Sequence, residues 1–485
     1  MKTKNILRVM PAVLVLGFTS CKKSFYDQKP YSAVALSSAI TSDADMNAAM
    51  NGVYATVRSS GFYGRSLPLR GDIMSDNCFV STSNSGRYLT FNQYTILATD
   101  SYVSSVWSTA YSAIKNANNI INSTITSNDN ISQLKAEAYT MRALMYFELV
   151  RNFALPYTMD PTKPGVPIIL EFDQNAELPR STVKEVYAQI NSDLAQAASL
   201  VKYAIGNSMT FNSTGATRAL NSSYITKYAI TALQARVYQH MGEWESAKTA
   251  AQSVVTNGGF SLVASTALAT YWSTANPRTD KAETIFEIAS DANNNNGTDA
   301  IGNMYLQSGY GDVLCTPGLY AIYSSTDVRK SLITPGTRTG QLTTAYIVKK
   351  YSGNTTDWDD IKIIRYADVL LILAEAYYNT SGGETLALQY LNQVAKQRDP
   401  SFAGYTSTGA QVLEDILSER RKELAFEGSR FWDLYRLQRS FTKVVDQDAT
   451  QKNITVTTAT TNFIFPIPDG EKSNNKSMEQ NPGYN

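Results

Sequence analysis

Chemistry is scarce in this chain. His240 is its one histidine, so an HExxH zinc site is impossible and any His-based triad must use that residue. His240 falls at the end of a helical pattern, where a partial cation meets the helix C-terminus favourably, and this predicts a structural role. No G-x-x-x-x-G-K-[ST] phosphate loop is present. Two carboxylates acting on a glycosidic bond would need a raised-pKa acid and a base or nucleophile at fixed separation. Asp357, Asp359 and Asp360 around Trp358 come nearest, but acids just before a helix expected near Ile361 serve its free N–H groups instead. Glu423 and Asp433 lie in a stretch so dense in both charge signs that pairing accounts for them. Cys78 and Cys315 are too far apart for a C-x-x-C motif. The sequence therefore predicts no catalytic residue, no cofactor and no metal.

Binding without catalysis fits the composition better. Thirty tyrosines offer flat apolar faces with a hydroxyl, and sugars present apolar C–H faces ringed by hydroxyls, so aromatic platforms beside Asn, Asp and Arg suit them. Candidates from the irregular stretches are Tyr63 and Tyr88 in a first loop, Trp272, Asn303, Tyr305 and Tyr310 in a second, and Trp358 at its exit. A formal charge of +1 gives no electrostatic case for nucleic acid.

The elements that must carry these residues follow in order. Lys2, Lys4 and Arg8 precede an apolar run from Val9 to Phe18, too short to span a bilayer, which predicts a leader over 1–20. FTSC resembles a lipoprotein lipobox, making Cys21 the acylated new N-terminus and 21–42 a tether. An exported chain permits Cys78 and Cys315 to join, while small buried thiols are the commoner outcome. Residues 43–485 read as one domain. A helical scaffold covers about 43–257 and 361–440, a loop-rich insertion about 258–360, and an irregular tail 441–485. Within the first part, 61–100 reads as a long loop, with Asp76 and Asn77 structural and Arg70-Gly71-Asp72 fortuitous. Helical pairs are expected at 103–124 with 131–153, then 181–202 capped by Ser181. Ala235, Tyr238, Gly242, Trp244, Ala247 and Ala251 take tetratricopeptide spacing, repeated by Ala374, Tyr377, Ala387 and Leu391. The insertion holds DANNNNG (Asp291 to Gly297), YLQSGYGD and short strand-like pieces, TIFEIA and AYIVKKY. Glu419 to Arg436, ERRKELAFEGSRFWDLYR, reads as two helices bent at Gly428, with Glu419–Lys422, Glu427–Arg430 and Asp433–Arg436 as local pairs.

That last stretch resembles the C-terminal signature of the SusD/RagB family of surface nutrient-binding lipoproteins. IIRYADVLLILAEAYYN, AEAYTMRALMYFELVRNF and the closing FPIPDGEK and QNPGY resemble further family blocks in the family's order. The resemblance implies a mainly α fold: a tetratricopeptide-like helical-repeat scaffold with a large irregular insertion. It further implies a lipid-anchored protein on the outer face of the outer membrane. Such a protein binds an oligosaccharide or polysaccharide and acts as lid to a SusC-like TonB-dependent β-barrel. Ligand contacts in the family sit in variable loops, so none transfers residue by residue. An envelope glycoside hydrolase and a non-catalytic repeat scaffold are the alternatives, and a peptide ligand is open within the family.

Overall fold

The computed structural model describes residues 40–171, 173, 177–274, 277–341, 343–351, 359–446 and 452–484. The leader, Cys21, most of the tether and Trp358 lie outside the described residues. The longer helices before the insertion are α1 Asp43–Val57, α2 Ser66–Ile73, α3 Ser101–Ile121, α4 Asp129–Phe153, α5 Val183–Leu200, α6 Lys227–Met241 and α7 Trp244–Asn257. After the insertion come α8 Tyr366–Tyr378, α9 Glu384–Arg398, α10 Ala410–Glu423 and α11 Arg430–Arg436. α4 packs on α3 and α5, α6 on α7, and α8 on both α7 and α9, so successive antiparallel pairs share one core. This is the predicted helical-repeat scaffold. Gly242 ends α6 at φ +73, a left-handed turn that glycine adopts without strain before α7 folds back. α5 starts one residue later than expected. Thr182, not Ser181, is its N-cap, in a reciprocal capping box with Glu185.

Besides two short two-stranded sheets, Ser208–Thr210 with Thr217–Ala219 and Phe441–Val444 with Asn453–Val456, the strands among the described residues are β1 Cys78–Val80, β2 Thr284–Ile288, β3 Val313–Cys315, β4 Ile333–Gly336, β5 Ala345–Val348 and β6 Ile361–Arg365. Four form a sheet in the order β1-β3-β5-β4, while β2 pairs antiparallel with β6. β6 corrects the helix expected near Ile361: its three isoleucines suit a ladder, and the helix begins only at Tyr366. Asp360 accordingly caps no helix, and its Oδ1 accepts the Ser290 N–H at 2.7 Å.

The stretch 61–100 is not the long loop expected. It contains α2, β1 and a short helix, and every residue of α2 is buried. A helix buried on all sides has no amphipathic stripe, which is why periodicity missed it. Arg70-Gly71-Asp72 is buried, so as a recognition tripeptide it is fortuitous as read, and its role is in packing. The Asp72 carboxylate accepts from Asn77 Nδ2 at 3.0 Å, from Phe426 N at 3.2 Å and from Gly428 N at 2.7 Å. The Arg70 guanidinium lies 4.1–4.8 Å from the ring centres of Phe465, Trp432 and Phe431. Asp76 pairs with Arg430 and Arg421, and Asn77 Oδ1 accepts from Arg421, so both are structural as read.

The bend at Gly428 separates α10 from α11 as expected, and its charges build a buried ionic lock. Glu423 accepts from Arg365 Nη1 at 2.8 Å, Arg398 Nη2 at 3.0 Å and Arg329 Nη1 at 3.0 Å. Glu283 from β2's N-terminal flank takes the second contacts of Arg365 and Arg398. Arg420 joins Asp433 to Asp368, and Arg436 joins Asp433 to Glu375. Glu419–Lys422 and Asp433–Arg436 form as local pairs. Glu427–Arg430 does not. Glu427 turns inward to Lys350 and Arg365, leaving Arg430 to Asp76.

The surrounding cations hold Glu419, Glu423, Asp368 and Asp433 below the ordinary carboxylate range against the opposing cost of burial. For acids depressed in the folded state, stability is present above their unfolded values of about 4 and is lost as pH falls through the folded ones. These four acids should therefore make the urea midpoint fall steeply below about pH 4. A midpoint flat down to about pH 3 would contradict this charge assignment.

Candidate functional site

Two hollows deserve comparison, and the inner one is part of the lock. It encloses about 70 Å³ between Tyr63, Glu148, Arg151, Arg236, Arg420 and Trp432. Ligand pockets run to about 300–1,000 Å³, so no sugar ring fits. Its charges are already paired: Arg151 with Glu148, and Arg236 and Arg420 with Asp368. His240 on its wall is buried against Phe147, and burial with four neighbouring arginines holds its pKa well below the usual value. It is structural as read, but neutral rather than a partial cation.

The outer hollow is a groove of about 690 Å³. α1 contributes Asn51, Tyr54 and, just past its end, Arg58; the turn before α6 brings Asn221 and Tyr224; the asparagine-rich loop brings Asp291 and Asn294. Tyr54 and Tyr224 meet edge to face at 5.9 Å. Tyr54 is fixed from below, donating to Glu137 at 2.9 Å and accepting the Ile225 N–H at 3.1 Å. Asp291 closes its own turn by accepting the Asn293 and Asn294 N–H groups, each at 2.8 Å. Asn296 pins the loop to α1, donating to the Arg58 carbonyl at 2.9 Å.

On the other side of this loop lies a ledge. Arg87 sits 4.0 Å over the ring of Tyr310 and donates to its hydroxyl at 3.1 Å. Arg65 pairs with Asp299 and donates to the Tyr88 hydroxyl at 2.8 Å. Tyr88 in turn stacks on Tyr102 with ring centres 4.3 Å apart. The Asn303 carbonyl accepts both Tyr310 N and Gly311 N, which holds the ledge's tip. The 291–312 segment therefore touches both groove and ledge, Asn294 and Asn296 reaching Arg58 and Asp299 reaching Arg65.

The predicted binding residues divide accordingly. Tyr310 and Asn303 are partly exposed on the ledge. Tyr88, at 1% exposure, is corrected as an exposed platform and supports the ledge from beneath. Tyr63, Tyr305 and Trp272 are buried, and as exposed platforms they are corrected by the structure. Tyr63 donates to Glu148 at 2.8 Å, Tyr305 stacks with Tyr351, and Trp272 lies under Lys350 at 4.1 Å. Trp358 lies outside the described residues. Sequence reasoning missed Tyr54, Tyr224, Arg58, Arg65, Arg87 and Asp299. The asparagine run marked their location, but α1 and the Tyr224 turn reach it only through the fold.

Comparison with known proteins places this geometry in company. The SusD family model matches residues 104–484. The SusD-like protein P2 of Formosa agariphila is 28% identical, over 97% of this chain and 98% of that protein. The SusD-like protein P38 of the same organism is 25% identical, over 90% and 92%. A candidate sugar-binding protein from Bacteroides vulgatus superposes with a TM-score of 0.80 at 28% identity, covering 92% of this chain and all of that one. A SusD superfamily protein from the same species gives 0.81 at 26%, with the same coverage.

Proposed function

We propose, from the premise that this chain belongs to the SusD family, that it is a non-catalytic receptor that holds a glycan on the groove-and-ledge surface around residues 291–312. The observation that carries this reading is the clustering along the 291–312 segment of tyrosine rings with arginine, asparagine and aspartate side chains. Rings take the apolar faces of a sugar, while the guanidinium and amide groups take its hydroxyls. The rings are held in place, Tyr54 by Glu137 and Tyr310 by Arg87, so little ordering is left to the moment of binding. Catalysis finds no support here. Asp291 is held below the ordinary range by the Asn294 side chain and neighbouring N–H groups, so it is not a raised-pKa general acid, and Asp299 is tied to Arg65 in an ion pair. The Bacteroides vulgatus relative described as sugar-binding points the same way.

Acylation at Cys21 would hold the receptor on the outer membrane, where a SusC-like TonB-dependent barrel would take the glycan while this chain acts as its lid. No described helix is long and apolar enough to cross a membrane. The reading is tested by calorimetric titration against a panel of plant and microbial oligosaccharides. Tyr310→Ala and Tyr54→Phe serve as variants, and detergent pull-down from the native membrane is run beside them. Tyr310→Ala should weaken the binding glycan at least tenfold, as expected for about 1.4 kcal/mol lost with a stacked ring. Tyr54→Phe keeps its ring and should bind within about twofold. Binding untouched by Tyr310→Ala would remove the ledge. A pull-down lacking a large barrel would remove the lid.

A further inference from the structure

Cys78 and Cys315 face each other across neighbouring strands. β1 and β3 pair antiparallel with Cys78 opposite Cys315, Phe79 opposite Leu314 and Val80 opposite Val313. The flanking hydrogen bonds fix which kind of pair this is. Thr316 N–H donates to the Asn77 carbonyl at 2.8 Å and Ser81 N–H to the Asp312 carbonyl at 2.8 Å. The odd-numbered positions of β1 are therefore the hydrogen-bonded ones, and Cys78 with Cys315 is a non-hydrogen-bonded pair. Such pairs bring Cα atoms to about 4.5 Å with side chains closest together, inside the window of about 4.4–6.8 Å that a disulfide spans. Both side chains also point the same way. Cys78 and Cys315 belong to the main core cluster, whereas Phe79 and Leu314 form a separate one on the opposite face. In the structure both thiols are free and buried.

We propose that Cys78 and Cys315 are joined by a disulfide in the exported protein, stapling the N-terminal scaffold to the binding insertion across 78–315. The site of the bond is the sheet edge, and its role rests on the surface location proposed above. The oxidant is a protein or peptide disulfide. A thiolate of one cysteine attacks it, expelling one thiol; the second cysteine's thiolate then attacks the mixed disulfide, expelling the other. Two protein thiols are oxidised and one external disulfide is reduced to two thiols. Burial pushes both thiols up in pKa, so the exchange belongs to the folding chain, before β1 and β3 close. Lys443 Nζ, donating to the Cys78 carbonyl at 2.7 Å, then holds β1 in this register.

The test has two arms. The full chain is refolded from the reduced, unfolded state in a glutathione thiol–disulfide buffer, alkylated, digested without reduction and weighed as peptides. The linked pair of peptides carrying Cys78 and Cys315 is expected; both cysteines alkylated would overturn the proposal. In the second arm the chain is purified from its native membrane with alkylating agent present at lysis. Cys21 acylated with Cys78 and Cys315 linked is the expected result, and Cys21 acylated with both alkylated would overturn the bond while leaving the surface reading intact. An unacylated, unexported chain that links on refolding would overturn the location and support the pairing. In linked protein, reductant should lower the urea midpoint, and in Cys315→Ala it should not.

Discussion

Glu423→Ala is expected to destabilise the protein by about 3–5 kcal/mol, because it strips one carboxylate from three buried guanidinium groups at once. Replacing a whole buried ion cluster by apolar side chains is often neutral, but deleting one member leaves uncompensated charge in a medium that solvates it poorly. Arg365 keeps Glu283 and Glu427, and Arg329 keeps Glu419 and Asp327. Arg398 is worst placed, since Glu283 is its one remaining carboxylate among the described residues. The loss should therefore appear as loosening of α9's end against α10, with protection of amide hydrogens near Arg398 falling first. Glu423→Gln keeps the volume and one carbonyl acceptor, and should fall between wild type and alanine. Urea unfolding measures both. A cost under about 1 kcal/mol for the alanine variant would mean that the lock contributes specificity of packing and little stability.

The scaffold was legible because its signals are local. Tetratricopeptide spacing in 235–251 and 374–391 depends on small residues a helical turn apart, and α6 with α7 and α8 with α9 form where it predicted. The lock was half legible. Glu419–Lys422 and Asp433–Arg436 lie within one helix turn and pair there, while Glu427 finds Lys350 and Arg365 across more than sixty residues of chain. No spacing rule reaches that far. A charged stretch announces that partners exist without naming them.

The binding face was less legible for a related reason. Tyrosine serves equally as core filler and as platform, and only tertiary packing decides between them. Tyr305 and Tyr310 are five residues apart in one glycine-rich segment, yet one is fully buried under Tyr351 and the other lies under Arg87 at the surface. The arginines would have been the better guide. Neither Arg65 nor Arg87 has an acid within one helical turn of it in sequence, the nearest being Asp72 and Asp76, which are engaged elsewhere, and Asp299 and Tyr310 supply their partners.

Gly71→Ala is expected to cost on the order of 3 kcal/mol, and the reason shows what the bend at Gly428 is for. A Cβ on Gly71 would stand 1.9 Å from the Gly428 carbonyl oxygen and 2.5 Å from its carbon, both backbone atoms that cannot rotate away. Relief requires α2 to retreat from the bend. That retreat would lengthen the bonds from Phe426 N and Gly428 N to Asp72 and draw Arg70 off its three rings, so one methyl group disturbs every contact that seats α2. Gly428→Ala should fail similarly, since its φ of +77 disfavours a side chain and its Cβ would meet Pro68 Cα at 2.7 Å. Gly52→Ala is the control. Gly52 lies inside α1 with nothing within 4 Å of an added Cβ, so alanine there should stabilise by about 0.5–1 kcal/mol through helix propensity. Thermal and urea unfolding of the three variants separate the two mechanisms. Equal small effects at Gly71 and Gly52 would mean that α2 is free to shift, and the close approach of the two glycines would then not be what joins the N-terminal segment to the C-terminal lock.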